Sequence, residues 1–349
     1  MQRFVSDGEV DGAALAVAIG PDVVAERYVG MAAPSLRSGP DVLWPLASIS
    51  KLYSAAVVLA LVEQGELTLS TLVRDVLPEF DGDGREQVTL RHLLTHTSGV
   101  IYESPEMEAV LLRQLTLDEI VDEAYSYPLQ FVPGSRFSYS DYGIALAARV
   151  ASTVAGVEFP ELVRALVLEP GDLRLTFLPP PPEEYDRVAR IVGALASGTQ
   201  SAQYNSAYAR ALGHPAFGAV ASVTDLLRLG LLFAPGGDRR ILSEATIRAM
   251  TTDQTGGAVI GSLIGLSPDA PRPWGLGFGV RGNTVTFGFG DITSPQSFGH
   301  PGATGCTVLV DPVANVSLAF VSNRHLRADP VRATFRLDAI INGVLAAVT

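Results

Sequence analysis

Charge disappears from the chain between Leu52 and Val62. The run Ala55-Ala56-Val57-Val58-Leu59-Ala60-Leu61-Val62 follows Ser48-Ile49-Ser50-Lys51 and stops short of Gly65. That pattern predicts a buried helix of about four turns with Gly65 as its C-terminal cap. Nearer the N-terminus, the apolar stretches Ala13–Ile19 and Val23–Val29 flank Gly20-Pro21-Asp22 and predict a two-stranded hairpin. The middle of the chain reads differently. Leu72–Pro78 reads as a short connection ending in proline, and Thr89 opens a short helix that runs through His96 and stops at Ser98-Gly99. Residues 106–127 and 142–169 repeat with helical period, and Thr116-x-x-Glu119 has the form of a capping box. Pro179–Pro182 reads as a rigid loop, and further helices are predicted over Thr224–Leu232 and Ser243–Met250. From about Gly275 the pattern alternates as in strands: Leu276–Val280, Thr284–Phe287, Cys306–Val310 and Val316–Val321. Asp311–Asn315 turns between the last two, and an amphipathic helix is predicted from about 330 to 348.

Strands at both ends and helices between them predict an α+β fold with one antiparallel sheet assembled from both termini. The expected division is a discontinuous α/β domain, 1–70 with 270–349, and a mostly helical domain, 71–269. A length of 349 residues accommodates both. The formal net charge of −12 argues against nucleic acid or an anionic membrane as partner. No apolar run is long enough to span a bilayer, and no basic segment followed by an apolar one opens the chain, so a cytoplasmic location is expected. Cys306 is the single cysteine and the five histidines lack zinc spacing, so neither a metal nor an organic cofactor is expected. The sequence does not speak to oligomeric state.

Composition singles out Lys51. Of 25 basic residues it is the only lysine; the other 24 are arginine. A guanidinium does not release its proton in a protein, whereas an ammonium does once burial lowers its pKa, so the lone lysine suggests a task that needs deprotonation. Ser48 is expected in the first turn of the buried helix, with Lys51 one turn on and facing the same way. The positive end of the helix favours a developing alkoxide. The pair reads as a nucleophile with its own base.

Several phrases then fall in a familiar order: Ser48-Ile49-Ser50-Lys51, Leu61–Leu67, Leu93-Leu94-Thr95-His96-Thr97-Ser98-Gly99, Phe137-Ser138-Tyr139-Ser140-Asp141-Tyr142-Gly143, Ser222–Leu226 and Gly299–Gly305. Across nearly its whole length the chain resembles the serine β-lactamase and penicillin-binding-protein superfamily, in its class C, D-peptidase and family VIII esterase branch. The resemblance implies that Ser48 accepts the acyl group, that Lys51 is its proton partner, and that Tyr139 is the phenol between nucleophile and leaving group. A neighbouring ammonium is expected to lower that phenol's pKa. His300-Pro301-Gly302 aligns with the third element of the family on the strand lining the site, with Gly302 allowing close approach of substrate. The backbone N–H groups of Ser48 and Ala303 are implied to form the oxyanion hole. His96 reads as a structural residue, and Cys306 as buried rather than reactive.

Two positions depart from the family pattern. Asp141 stands where asparagine is usual; a carboxylate only accepts hydrogen bonds, and favours a charged Lys51. His300 replaces the lysine of the third element, removing the fixed cation that would meet a substrate carboxylate. Both shift the expectation from penicillin turnover to a serine hydrolase acting on small-molecule esters or amides. The leading reading is a carboxylesterase for short or medium acyl esters. The alternatives are a D-aminopeptidase or amidase, a weak β-lactamase, an acyltransferase, and a penicillin-recognising module that acylates without turnover.

Overall fold

The computed structural model describes residues 1–193, 204–237, 239–256, 273–283 and 288–348. Its centre is a seven-stranded sheet in the order β3-β2-β1-β10-β9-β8-β7. The strands are β1 Gly12–Ile19, β2 Asp22–Ala33, β3 Leu36–Arg37, β7 Gly279–Val280, β8 Phe298–Gly302, β9 Cys306–Asp311 and β10 Val316–Ser322. Every pairing is antiparallel, and β1 lies directly against β10, with Ala16 opposite Ala319. The first and last parts of the chain therefore build one α+β sheet, as expected.

Two-residue alternation sorts the sheet's side chains onto two faces. Val17, Leu309, Val316 and Leu318 pack with Ile341, Val344 and Leu345 of the C-terminal helix Pro330–Val348. Ala14, Ala16, Ala18, Val308, Val310, Ala319 and Val321 face the main core. Small residues on that second face let the Val223–Phe233 helix lie close; a Cβ on its Gly230 would come within 3.1 Å of Val308 Cγ2. That helix belongs by sequence to the middle of the chain and by packing to the sheet.

The Ser50–Glu63 helix runs through the core with every residue from Ser50 to Leu61 buried, and Gly65 follows it at φ +80°. Beside it lies the Asp141–Ala155 helix, capped by the Ser140 side chain and ended by Gly156 in the left-handed region. The long helical stretches predicted in the middle are interrupted. Gln114, at φ +53°, separates Met107–Arg113 from Leu117–Glu123, and the latter carries the expected Thr116/Glu119 capping box. Leu72–Pro78 is more than a connection, since Val73–Val76 forms a helical turn.

Over Leu276–Val280 only Gly279–Val280 pairs as strand; Gly277, at φ +95°, carries the chain across Ala55 of the central helix, where a Cβ would sit 2.4 Å from that of Ala55. Thr284–Phe287 lies outside the described residues. A small sheet was not anticipated: β4 Trp44–Pro45 and β5 Thr176–Phe177 both pair with β6 Val220–Ala221. Among the described residues no helix is long and apolar enough to cross a membrane.

Candidate active site

The chain enters the central helix through a tight, buried turn. β4 is tied to β6, Leu46 N–H donates to Ala219 O at 2.9 Å, and Ala47 turns at φ +46°, a conformation uncommon for any residue but glycine. The 3₁₀ turn Ala47–Ile49 follows, and Ser48 is the residue in it that keeps partial exposure. Ser48 thus precedes the α-helix proper by two residues instead of occupying its first turn. Ser50 fixes the geometry: its hydroxyl donates to Ala47 O at 2.7 Å and accepts from Ala219 N–H at 2.9 Å. With both functions engaged and the side chain buried, Ser50 is structural, and the accessible hydroxyl of the motif is that of Ser48.

Lys51 is fully buried. Its ammonium lies 2.6 Å from Asp141 Oδ1 and donates to Ala216 O at 2.9 Å. Burial pushes its pKa down and the Asp141 carboxylate pulls it back up; burial raises that of Asp141, with Lys51 opposing. Each group is therefore less willing to stay charged than in water, and each holds the other in the charged form. Asp141 faces the site because it is the first residue of its helix, where its backbone N–H donates to Tyr102 O at 2.8 Å.

Tyr139 stands between these groups and the sheet. The Lys51 ammonium lies over the face of its ring, 4.7 Å from the centroid. The phenol is held well above its ordinary pKa by burial and by the Asp141 charge, with the Ser48 hydroxyl opposing. This corrects the expectation of an acidified phenol: the ammonium meets the ring face, and Asp141 neutralises its charge. Tyr139 Oη lies 3.3 Å from His300 Nε2, and His300 Nδ1 lies 2.7 Å from Pro301 O. A carbonyl only accepts, so the imidazole proton is on Nδ1 and Nε2 accepts from the phenol. Burial and Lys51 together lower the His300 pKa to about 3, so it is neutral at working pH and supplies no cation.

Gly302 is required by the protein's own packing. A Cβ there would come within 2.3 Å of Leu46 O and 2.5 Å of Cys306 Sγ, because β8 packs on the segment leading to Ser48. Thr304 Oγ1 donates to Pro45 O at 2.6 Å and strengthens the same join. Ala303 O accepts from Leu326 N–H at 2.8 Å, while among the described residues no backbone carbonyl takes the N–H of Ser48 or Ala303. Cys306 is buried as expected, and desolvation pushes its thiol up to about 12, which disfavours the reactive thiolate.

His96 has a closer relation to the site than its sequence suggested. It is buried at φ +56°, stacks on Tyr139 with centroids 4.4 Å apart, and accepts from Ser140 N–H through Nδ1 at 3.1 Å. It holds the segment that carries Tyr139, a structural task performed at the site. The wall behind is completed by Trp274, 5.8 Å from the Tyr139 ring and 5.4 Å from that of His300. The 214–219 loop, which receives Ser50, Lys51 and Ser54, also escaped sequence reasoning. So did Glu103 and Arg327, whose charges are felt by Asp141 or Lys51. No local motif marks these residues; only tertiary proximity does. Among the described residues no group of three or more His, Cys, Asp or Glu side chains is placed to hold a metal ion.

Comparison with known proteins agrees with this architecture. The family model described as Beta-lactamase matches residues 1–342. Esterase EstB of Burkholderia gladioli is 38% identical over 149 residues, which are 38% of this chain and 38% of that esterase's length. A β-lactamase from Mycobacterium bovis is 27% identical with a TM-score of 0.69, covering 100% of both chains. A penicillin-binding-protein homologue from Caulobacter crescentus is 26% identical with a TM-score of 0.76, over 96% of this chain and 93% of its own.

Proposed function

The chain belongs to the Beta-lactamase family, and from that premise we propose that it is a serine hydrolase that forms an acyl-Ser48 intermediate and acts as a carboxylesterase on short or medium acyl esters. The observation that carries the reading is the surroundings of Ser48, half-buried in a buried turn, with Lys51, Asp141 and Tyr139 gathered behind it. Its similarity to Esterase EstB supports the same choice.

The proposed chemistry uses the Lys51–Asp141 pair as a proton store. When their shared proton moves to Asp141, the neutral Lys51 amine takes the proton of Ser48 as its oxygen attacks the ester carbonyl. The N–H groups of Ser48 and Ala303 receive the carbonyl oxygen as it becomes an oxyanion. The C–O bond to the alcohol breaks, and Tyr139, still protonated because of its high pKa, gives its proton to the departing alkoxide. Lys51 returns a proton to Tyr139, and Asp141 restores that of Lys51. Water then repeats the sequence on the acyl-enzyme and releases the acid.

Substrate charge favours esters over β-lactams. With His300 neutral, the β8 strand offers no cation to a substrate carboxylate, whereas a neutral ester needs none. The test is a rate comparison of p-nitrophenyl acetate and butyrate, a chromogenic cephalosporin and D-amino acid amides, with fluorophosphonate labelling mapped by peptide analysis. The expected result is fastest turnover of the esters and one label on Ser48. Faster turnover of the cephalosporin, or a label on another serine, overturns the reading.

A further inference from the structure

Lys51 takes its second acceptor from far along the chain. The 214–219 loop lies between the helix Ala207–Leu212, closed by Gly213 at φ +57°, and β6, which pairs with the β4 segment leading to Ser48. Along the central helix the loop braces one turn. Pro215 O accepts from Ser54 Oγ at 2.8 Å, Ala216 O accepts from the Lys51 ammonium at 2.9 Å, and Ala219 N–H donates to Ser50 Oγ at 2.9 Å.

A trans peptide points its N–H and C=O in opposite directions, so each carbonyl aimed at the helix needs a partner for the N–H behind it. His214 supplies those partners. Its Nδ1 accepts from Ala216 N–H at 3.1 Å, and its carbonyl accepts from Phe217 N–H at 3.1 Å and from Gly218 N–H at 2.7 Å; Pro215 has no N–H to place. The imidazole also stacks on the Phe217 ring, with centroids 3.9 Å apart and planes 8° from parallel. One buried side chain thus holds both residues joined by the peptide that carries the Ala216 carbonyl. The fold around it is tight: a Cβ on Gly218 would come within 2.4 Å of His214 N.

The Ala216 carbonyl constrains Lys51 in both protonation states. It stabilises the ammonium by accepting one of its protons. It can only accept, so the lone pair of a neutral amine is turned away from the loop. A base that must take a proton from Ser48 gains from having that direction closed. His214 brings no charge of its own, since burial and the Lys51 charge lower it to about 3. With Nδ1 accepting, the neutral ring carries its proton on Nε2.

We propose that His214 is a positioning residue for Lys51: its hydrogen bond to Ala216 N–H holds the carbonyl that sets where the amine points. This rests on the acyl-Ser48 reading only in the part of the test that uses an ester.

Lys51 is the only lysine in the chain. Protein labelled with lysine carrying carbon-13 at Cε therefore shows a single lysine resonance, whose pH titration reads Lys51 without any substrate. Two variants of the full chain separate the hydrogen bond from packing. His214→Asn supplies an oxygen that accepts from the N–H two residues on, as Nδ1 does, and lacks the ring. His214→Phe keeps a ring against Phe217 and has no acceptor. In His214→Phe the Lys51 titration is expected to move down by about one unit, the scale of one hydrogen bond to a charged group. Its burst rate with p-nitrophenyl acetate, at the pH of the maximum, should fall about tenfold. His214→Asn should recover most of both. The other titratable groups that reach Lys51 are Asp141, Tyr139, His96, His300 and Glu103, and both variants leave them in place. Melting temperatures establish that each variant is folded; should His214→Phe fail to fold, His214→Leu, which also lacks an acceptor, takes its place. A Lys51 titration that stays in place or moves upward without the acceptor, a burst rate that stays at the wild-type value, or an asparagine variant that loses as much as the phenylalanine one overturns the inference. If wild type shows no burst, the esterase reading fails, and the titration by itself decides whether His214 acts on Lys51.

Discussion

Replacing Asp141 by asparagine removes the charge that keeps Lys51 protonated while nearly preserving shape. The ammonium and carboxylate are 2.6 Å apart and both are buried. Unit charges about 4 Å apart at an effective dielectric of about 20 interact by about 4 kcal/mol, and this closer pair is worth at least as much. The variant loses that attraction, while the desolvation that lowers the Lys51 pKa stays in place. Stranding a buried charge costs about 3–5 kcal/mol, but an amine avoids the cost by releasing its proton. The sign follows. In wild type Asp141 raises the pKa of Lys51, so the neutral amine becomes abundant only at higher pH; in Asp141→Asn it becomes abundant at lower pH. The rising limb of acylation against pH should therefore move down by about one unit or more, each unit corresponding to about 1.36 kcal/mol. The assay is stopped-flow acylation by p-nitrophenyl acetate from pH 5 to 10, read as the burst rate so that deacylation does not enter. A limb that stays in place, or moves upward, refutes the claim that Asp141 controls the proton on Lys51.

Other consequences are as direct. Lys51→Arg keeps the cation but cannot provide a neutral base, so its acylation rate should fall about as far as that of Lys51→Ala; a near-normal burst rate would show that charge alone is required. Gly302→Ala places a methyl against Leu46 O and Cys306 Sγ and should destabilise the fold by about 1–3 kcal/mol, with Ser48 labelling slowed as well, measured by thermal melting and fluorophosphonate kinetics. Acid stability follows from four buried histidines: burial lowers His214 and His300 to about 3, His325 to about 4 and His96 well below its ordinary value. The unfolded chain binds protons at these positions near pH 6.5 and the folded chain does not, so unfolding takes up protons and stability falls as pH drops from 6.5 toward 3. Melting temperature against pH should show this decline, and His300→Gln should make it shallower; an equal slope would place the proton uptake elsewhere.

The parts of the fold legible in the sequence are those where local pattern and tertiary role coincide. β1, β9 and β10 are apolar along almost their whole length because the sheet has two covered faces, and the Ser50–Glu63 run is apolar because the helix is buried. Ser48 and Lys51 could be read from the Ser-x-x-Lys spacing ahead of an apolar run, and composition marked Lys51 independently. What stayed hidden depends on contacts between distant segments. The 214–219 loop has no motif, yet its carbonyls hold Lys51 and Ser54. β4, β5 and β6 are two residues each, too short for any periodicity to show. Gly302 was legible as important, but its packing against the carbonyl of Leu46 on another segment was not.

Asp141 shows how one substitution redistributes roles. From sequence, a carboxylate at that position weakens recognition of a substrate amide. In the structure it does not face substrate at all as a free acceptor; it closes an ion pair with Lys51 inside the protein. Lys51 is then charged at rest, Tyr139 is left a fully protonated phenol, and His300 accepts that phenol's hydrogen bond as a neutral imidazole. Under the proposed function, the resting site presents a proton donor for the leaving group rather than a free base for the nucleophile. Such a site favours leaving groups that need a proton delivered, such as aliphatic alkoxides, over p-nitrophenolate, which departs without one. The comparison of Tyr139→Phe with wild type should reflect this: turnover of a methyl ester should fall much further than turnover of a p-nitrophenyl ester with the same acyl group. Equal losses on both would mean that Tyr139 acts on the nucleophile and not on the leaving group.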